Sequence, residues 1–218
     1  MYQALALPDV RTALTLGDVL DRTIDFDCIV KADARLGLDA LLEELSDLAP
    51  RTPWRDVSGI RGTIMARLAA DPRTASAVAW IDAVAAGWPD AGAVVCDMAV
   101  GAYWIGGYSS QPRPRRLLHS VGWGTLGYAM PAAMGPAALG IPTLAVCGDG
   151  GPMFALGELA TMAQESLPVT TLIVDDGGYG MLRFDQQVFG HPERGVDLLT
   201  PDWVQLGSAF GIACESIE

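Results

Sequence analysis

The segment Thr143-Leu144-Ala145-Val146-Cys147 runs straight into Gly148-Asp149-Gly150-Gly151, and this junction decides the fold. A second junction of the same form follows, Thr170-Thr171-Leu172-Ile173-Val174 into Asp175-Asp176-Gly177-Gly178. Each run is short, apolar on both faces and closed by turn residues, the pattern of a strand covered on both sides. Between them, Phe154 to Glu165 reads as a helix, so the pair forms one strand-helix-strand unit with parallel strands. Upstream, an alanine-rich helix candidate, Thr74 to Trp88, leads through Pro89-Asp90-Ala91-Gly92 into Ala93-Val94-Val95-Cys96, a third strand ending in Asp97. Downstream, Asp202 to Phe210 reads as a helix, and Ile212 to Ile217 as the start of one more strand. The expectation is an α/β fold, a doubly wound, mostly parallel sheet with helices on both faces.

In such folds ligands bind beyond the carboxyl ends of the strands. Glycine-flexible amides and a helix start at the Gly148 to Gly151 tip favour a phosphate. If the two strands are neighbours, Asp149 and Asp176 converge, and two carboxylates beside a phosphate suit Mg²⁺, which takes oxygen ligands from protein and phosphate alike. Either tetrapeptide alone is an ordinary turn, with Asp bonding backbone amides and Gly supplying positive φ. Their placement at two strand ends, one unit apart, is what points to a site.

Composition narrows the class. The chain has 218 residues, half of them hydrophobic, with 14 Lys and Arg against 26 Asp and Glu, a formal net charge of −12. That charge opposes nucleic acid and anionic membrane surfaces, and the one basic cluster, Arg113, Arg115 and Arg116, is too short to reverse it. Residues Leu117 to Gly148 hold no charged side chain, yet their glycines and prolines break them into a buried loop, a helix and a strand rather than a membrane span. Cys28, Cys96, Cys147 and Cys214 lack metal-ligand or redox spacing and read as buried thiols in a reducing compartment. With no secretion-like leader at the amino terminus, a cytoplasmic location is expected.

Residues 1–53 read as the end of a preceding domain plus a linker at Ala49 to Trp54, with an apolar run at Cys28 to Val30 and leucines at helical spacing from Leu38 to Leu48. Residues 54–218 form the main domain. His119 and His191 have no partner at motif spacing and read as loop residues. Tyr103, Trp104, Tyr108 and Trp123 read as core or interface, with a pocket as the alternative.

Gly148-Asp149-Gly150, followed after 24 residues by Asp175-Asp176, resembles the G-D-G…N-N signature of thiamine-diphosphate-dependent enzymes. Glu158-Leu159-Ala160-Thr161, Leu167-Pro168-Val169 and Gly177-Gly178-Tyr179-Gly180-Met181 are similar to stretches of the acetolactate synthase, pyruvate oxidase and benzoylformate decarboxylase group. Gly122-Trp123-Gly124-Thr125-Leu126-Gly127-Tyr128-Ala129-Met130-Pro131-Ala132-Ala133 resembles that group's G-x-G-T-M-G-x-x-x-P-A-A segment.

The resemblance implies the carboxyl-terminal, diphosphate-binding domain of an enzyme that cleaves or forms the carbon–carbon bond next to a 2-keto acid carbonyl, with thiamine diphosphate and Mg²⁺ as cofactors. Asp149, Asp176 and the carbonyl of Gly178 would be metal ligands. Gly148, Gly150 and Gly151 would face the diphosphate. Leu126, where the family usually has methionine, would prop the bent cofactor by packing, Gly124 would accept from its aminopyrimidine, and Thr125 belongs to the same segment. Val100 and Gly101 fall where acetolactate synthases have Gln and His, which leaves backbone contacts there. Tyr179, Gly180 and Met181 complete the cofactor-binding set.

The activating glutamate of the family lies on the pyrimidine-binding domain of a neighbouring subunit, and no segment here resembles that domain. The chain therefore reads as a carboxyl-side portion of a larger enzyme, or one half of a naturally split one, inactive alone and working in a homodimer or tetramer. The sequence departs from the family at Asp176, where Asn is usual, and at Asp185, where acetolactate synthases carry a tryptophan that helps choose the acceptor. Two alternatives remain: a non-catalytic cofactor-binding or regulatory subunit of the same fold, and a Mg²⁺-dependent phosphate-ester enzyme with Asp149 as nucleophile. The latter lacks a D-x-D-x-[TV] motif after its first strand.

Overall fold

The computed structural model describes residues 3–6, 28–44, 46, 59–111 and 113–217. The chain forms two compact units, Met1–Asp56 and Val57–Glu218. In the first, strands β1 (Gln3–Ala6) and β2 (Cys28–Lys31) pair in parallel, with Gln3 opposite Cys28 and Ala6 opposite Lys31. Helix α1 (Ala34–Glu44) starts where Asp33 accepts from the amides of Arg35 (3.0 Å) and Leu36 (3.3 Å), an N-terminal cap. This cap places the helix earlier than the leucine spacing predicts, and Leu36, Leu38 and Leu42 lie exposed along it. The expected linker at Ala49 to Trp54 lies outside the described residues.

The second unit opens with helices α2 (Ile60–Ala70) and α3 (Ala75–Gly87). Strand β3 (Ala93–Cys96), helix α4 (Val100–Tyr108), strand β4 (Leu117–His119) and helix α5 (Ala129–Ala138) follow. Strand β5 (Thr143–Gly148), helix α6 (Glu158–Gln164), strand β6 (Val169–Val174), helix α7 (Gly180–Val188) and helix α8 (Trp203–Ala209) complete it. The strand order is β4-β3-β5-β6, all parallel.

The alternation of side chains along β3 and β5 builds two cores. Val95, Ala145 and Cys147 pack with Met130 and Ala133 of α5 and Met162 of α6 on one face. Val94, Cys96, Leu144 and Val146 pack with Ala102 and Ile105 of α4, and with Trp80 of α3, on the other. The doubly wound sheet expected from the sequence is therefore present. The chain leaves β3 for β4 on one side, then crosses back over β3 to β5 and moves on to β6. The winding direction reverses between β3 and β5, and a crevice opens at their carboxyl ends.

Four expectations are corrected. Phe154 to Glu165 is not one helix: a 3₁₀ turn, Pro152–Phe154, comes first, and α6 begins only at Glu158. The close approach of Gly127 to Phe154, where an added Cβ would lie 2.8 Å from the Phe154 Cβ, holds the turn against the neighbouring loop. Residues 212–217 form no strand, since none of their backbone groups joins the β6 edge. His119 lies in β4 rather than in a loop, its ring 5.5 Å from that of Tyr103. Cys214 is exposed, unlike Cys96 and Cys147, which are buried free thiols; the side chain of Cys28 lies outside those described. Of the four aromatics read as core or interface, Trp123 is 93% exposed, Trp104 stacks on Tyr108 at 5.1 Å, and Tyr103 reaches the crevice. Among the described residues no helix is long and apolar enough to cross a membrane.

Candidate functional site

The crevice at the reversal point is a cleft of about 230 Å³. Every position expected to contact the cofactor or metal lines it except Thr125, whose carbonyl accepts from the Ser120 hydroxyl at 3.2 Å. Three walls bring these positions together. The tip of β3 and the start of α4 supply Val100 and Gly101, the loop before α5 supplies Gly124 and Leu126, and the tips of β5 and β6 supply the two glycine-aspartate turns and the start of α7.

The β5 and β6 tips are registered with Gly148 opposite Val174, and the Asp149 amide continues the ladder by donating to the Val174 carbonyl at 3.1 Å. This pairing fixes Asp149 at the cleft floor, where it is 0% exposed. Among the described residues neither of its carboxylate oxygens has a hydrogen-bond partner. Its pKa is raised, first by burial, then by the Asp175 carboxyl and the charge of Asp176, against a lowering by the Gly178 amide. A buried carboxylate with no well-formed hydrogen bond is rare because it forfeits its hydration. A cation would complete such a group.

The acidic doublet divides its work. Asp175 accepts from Trp203 Nε1 (2.9 Å), Thr200 Oγ1 (3.1 Å) and the Gly177 amide (3.2 Å). Burial works to raise its pKa, but these donors prevail and hold it below the usual carboxylate value. Asp175 therefore anchors the start of α8, while Asp176 lines the cleft against Gly180. Among the described residues no three His, Cys, Asp or Glu side chains gather into a cation cage. Two carboxylates with open positions beside them match a magnesium ion that shares its shell with phosphate oxygens.

The glycines are required by contact. A Cβ on Gly150 would lie 2.5 Å from the Tyr179 ring, and one on Gly151 would lie 2.7 Å from Asp97 Oδ2. A Cβ on Gly148 would lie 3.2 Å from that of Ala99. Bare backbone thus lines the floor where an anion would approach. Val100 and Gly101 start α4, so their amides have no partner within the helix at its amino end. The Gly101 carbonyl accepts from Trp80 Nε1 at 3.0 Å, which fixes this end against α3.

Asp97, which in the sequence marks only a strand end, organises the third wall. It is 1% exposed, and its oxygens accept from the Met98 amide (2.8 Å) and the Gly127 amide (2.9 Å). Burial raises its pKa, against donors at Met98, Ala129, Gly127 and Tyr128. Helix α5 has Tyr128 at its N-cap position, with no side-chain cap of its own, so Asp97 takes that role from another strand. The loop carrying Gly124 and Leu126 is held to β3 by this carboxylate. The signal in the sequence is an acidic residue at a strand tip together with an uncapped helix downstream.

Helix α7 is braced from behind. Arg183 donates to the Gly177 carbonyl (3.4 Å) and to Asp197 (3.1 Å), and lies 3.8 Å from Glu193. The Tyr179 amide donates to the Val196 carbonyl at 2.7 Å, and the Leu198 amide to the Gly177 carbonyl at 3.0 Å. The loop that carries Gly178 is thereby clamped between α7 and residues 193–198.

Comparison with known proteins agrees with this geometry. Residues 99–218 match the family described as thiamine pyrophosphate enzyme, C-terminal TPP binding domain. A probable 2-ketoarginine decarboxylase of Pseudomonas aeruginosa is 37% identical over 193 residues, 84% of this chain and 34% of that protein. The large subunit of acetolactate synthase isozyme 2 from Escherichia coli K12 is 34% identical over 123 residues, 55% of this chain and 22% of that protein. A solved Rhodococcus jostii RHA1 thiamine diphosphate-dependent 4-hydroxybenzoylformate decarboxylase superposes with a TM-score of 0.61 at 22% identity, over 85% of this chain and 35% of that one. The chain spans about a third or less of the length of these proteins.

Proposed function

We propose, since this chain belongs to the thiamine pyrophosphate enzyme family and carries its C-terminal TPP-binding domain, that it is the cofactor-holding part of an enzyme acting on the carbon–carbon bond next to a 2-keto acid carbonyl. The observation that carries this reading is the buried Asp149 carboxylate, with no partner among the described residues, at the floor of the glycine-lined cleft. Asp149, Asp176 and the Gly178 carbonyl would hold Mg²⁺. Gly150, Gly151 and the amides opening α4 would receive the diphosphate, whose charge the metal offsets. Leu126 offers a half-buried apolar side chain for the cofactor to bend against, and Gly124, at φ 74°, turns the loop beside it. When bound, thiamine diphosphate supplies the carbanion stabilisation that such cleavage requires. The chain's own residues bind and orient it, and the apolar walls exclude water from it.

The relatives' names divide between a decarboxylase and an acetolactate synthase. Asp185, at the position where acetolactate synthases carry tryptophan, favours decarboxylation here. The activating carboxylate and the remaining cofactor contacts come, in this reading, from the pyrimidine-binding domain of a neighbouring subunit in a homodimer or tetramer. A cytoplasmic location fits the free thiols Cys96 and Cys147. The second reading, a cofactor-binding subunit without turnover, is favoured by Asp176, which adds a negative charge to the metal site.

Calorimetric titration with thiamine diphosphate, with and without Mg²⁺, tests the site, and complementation with a pyrimidine-binding domain tests catalysis. Metal-dependent binding lost in Asp149→Ala, followed by 2-keto acid decarboxylation on complementation, is expected. Binding that ignores the metal overturns the site assignment. Metal-dependent binding with no turnover on complementation selects the second reading.

A further inference from the structure

The loop between β4 and α5 brings Gly124 and Leu126 to the cleft, yet its own hydrogen bonds are mostly internal. The Gly124 amide donates to the Ser120 carbonyl at 2.9 Å, and the Ser120 hydroxyl to the Thr125 carbonyl at 3.2 Å. Among the described residues, a single hydrogen bond ties residues 120–127 to another element, that from the Gly127 amide to Asp97 Oδ2 at 2.9 Å. The other oxygen, Oδ1, accepts from the Met98 amide at 2.8 Å. The Met98 Cε lies 3.6 Å from where a Cβ on Gly124 would stand. Asp97 thus bears on the loop on both sides of Leu126, by its bond to Gly127 and through Met98 at Gly124. The same Oδ2 abuts the β5 turn: a Cβ on Gly151 would lie 2.7 Å from it, and one on Gly127 would lie 3.2 Å from the Gly151 carbonyl oxygen. The tip of β3, the loop and the β5 turn therefore meet at one buried carboxylate, which is 1% exposed and does not itself line the cleft.

We infer that Asp97 is a positioning residue for the cofactor: by fixing Gly127 against Gly151 it sets the distance between Leu126 and the turn that receives the diphosphate. The inference rests on the reading of the cleft as a thiamine diphosphate site and adds the residue that holds its two ends at one spacing. A ligand that reaches from the β5 turn to Leu126 meets a wall already in place. Without the Asp97 bond, that wall must be ordered at the moment of binding, at a cost in affinity. A ligand confined to the turn does not reach the loop, so its affinity is independent of the tether. Loss of a hydrogen bond to a charged acceptor corresponds to about 10-fold to 100-fold in affinity. The packing of Gly127 on Phe154, which the substitution leaves intact, places the effect near the lower figure.

The test is calorimetric titration of the intact protein in Mg²⁺ with two probes: thiamine diphosphate, which spans the cleft, and inorganic pyrophosphate, which fills only the turn. Asp97→Asn keeps the shape of the side chain but sets an NH₂ group against one of the two backbone amides. It should lower the affinity for thiamine diphosphate about tenfold and leave that for pyrophosphate within about twofold. In a Leu126→Ala background the same substitution should have little further effect, because the group being positioned is gone. Hydrogen exchange of the cofactor-free wild type supplies a readout that needs no variant. The Gly127 amide should exchange at least about tenfold more slowly than those of Gly122 and Trp123, and thiamine diphosphate, but not pyrophosphate, should slow it further. Thermal unfolding shows whether each variant is folded; should Asp97→Asn not fold, the exchange rates decide alone. Equal weakening of both ligands marks a merely structural role and overturns the inference. So does an unmoved thiamine diphosphate affinity, an effect undiminished by Leu126→Ala, or a Gly127 amide that exchanges as fast as its neighbours. A wild type that binds no thiamine diphosphate overturns the reading of the cleft, and the inference with it.

Discussion

Replacing Asp149 with Asn should stabilise the metal-free protein and at the same time abolish its response to cofactor. The side chain is 0% exposed, its oxygens are without partners among the described residues, and Asp175 and Asp176 add like charge. Leaving a buried polar group unsatisfied costs about 1–3 kcal/mol, and more when it is charged. Asn keeps the shape, removes the charge and gives an NH₂ that can donate to the neighbouring carboxylates. Taking a gain of about 1–3 kcal/mol in a unit of about 160 residues, the melting temperature in chelator near neutral pH should rise by about 2–12 °C. The sign with pH follows from the raised pKa. The folded protein holds the Asp149 proton more tightly than the unfolded chain, so the destabilisation is absent below the ordinary carboxylate value of about 3.9. It grows as pH rises through the folded value and is constant above it. Thermal unfolding in chelator, at about pH 4 and about pH 7, followed by addition of Mg²⁺ and thiamine diphosphate, measures both effects. A variant that melts at or below the wild type in chelator near pH 7, or that gains as much from cofactor, would refute the reasoning.

Three further outcomes are expected. Leu126→Ala should weaken thiamine diphosphate binding by about tenfold, because the shorter side chain buries less apolar surface against the cofactor; unchanged affinity in calorimetry would remove its role as the prop. Gly150→Ala forces the Tyr179 ring aside and should cost about 1–3 kcal/mol. A second substitution, Tyr179→Ser, should restore that stability in denaturant titration, and no recovery would mean that the glycine serves another purpose. His119 has its pKa lowered, by burial first, with Asp97 opposing. Its neutral form therefore contributes stability that is complete above the ordinary value of about 6.5 and is lost as pH falls through the lower folded value. His119→Gln should flatten the stability profile between about pH 7 and 5, and an identical slope would exclude the imidazole as its source.

The sheet was legible because β5 and β6 are continuous apolar runs, each closed by a glycine-aspartate turn, and burial on two faces writes that pattern directly into composition. Strand β4 escaped notice because three residues after an arginine- and proline-rich stretch carry no periodicity; its register comes from β3, not from itself. Helix α4 was hidden by Gly101, Gly106 and Gly107, which oppose helix formation locally; at Gly101 and Gly106, Trp80 and His119 pack where side chains would otherwise be. Residues 212–217 are apolar enough for a strand, yet pairing is a property of the neighbour as well as of the segment. At the site, the meeting of Asp149 and Asp176 in one cleft could be read from spacing, since a strand-helix-strand unit fixes where two strand tips meet. Asp97 could not, because its significance lies in an uncapped helix end thirty residues away in sequence.

Helix α7 presents two functional faces. Met181, Leu182 and Asp185 look into the cleft, whereas Arg183, Gln186 and Gln187 hold residues 193–197 and, through the Gly177 carbonyl, the loop bearing Gly178. The lining of the cleft and the brace of the Gly178 loop are thus mounted on one nine-residue rod but on different sides of it. Exchanging side chains on the inner face can reshape the cleft while the loop bearing Gly178 stays braced, so the lining can change by point mutation without loss of that support. A displacement of the rod itself changes both properties together, which makes insertions or deletions in α7 far costlier than substitutions.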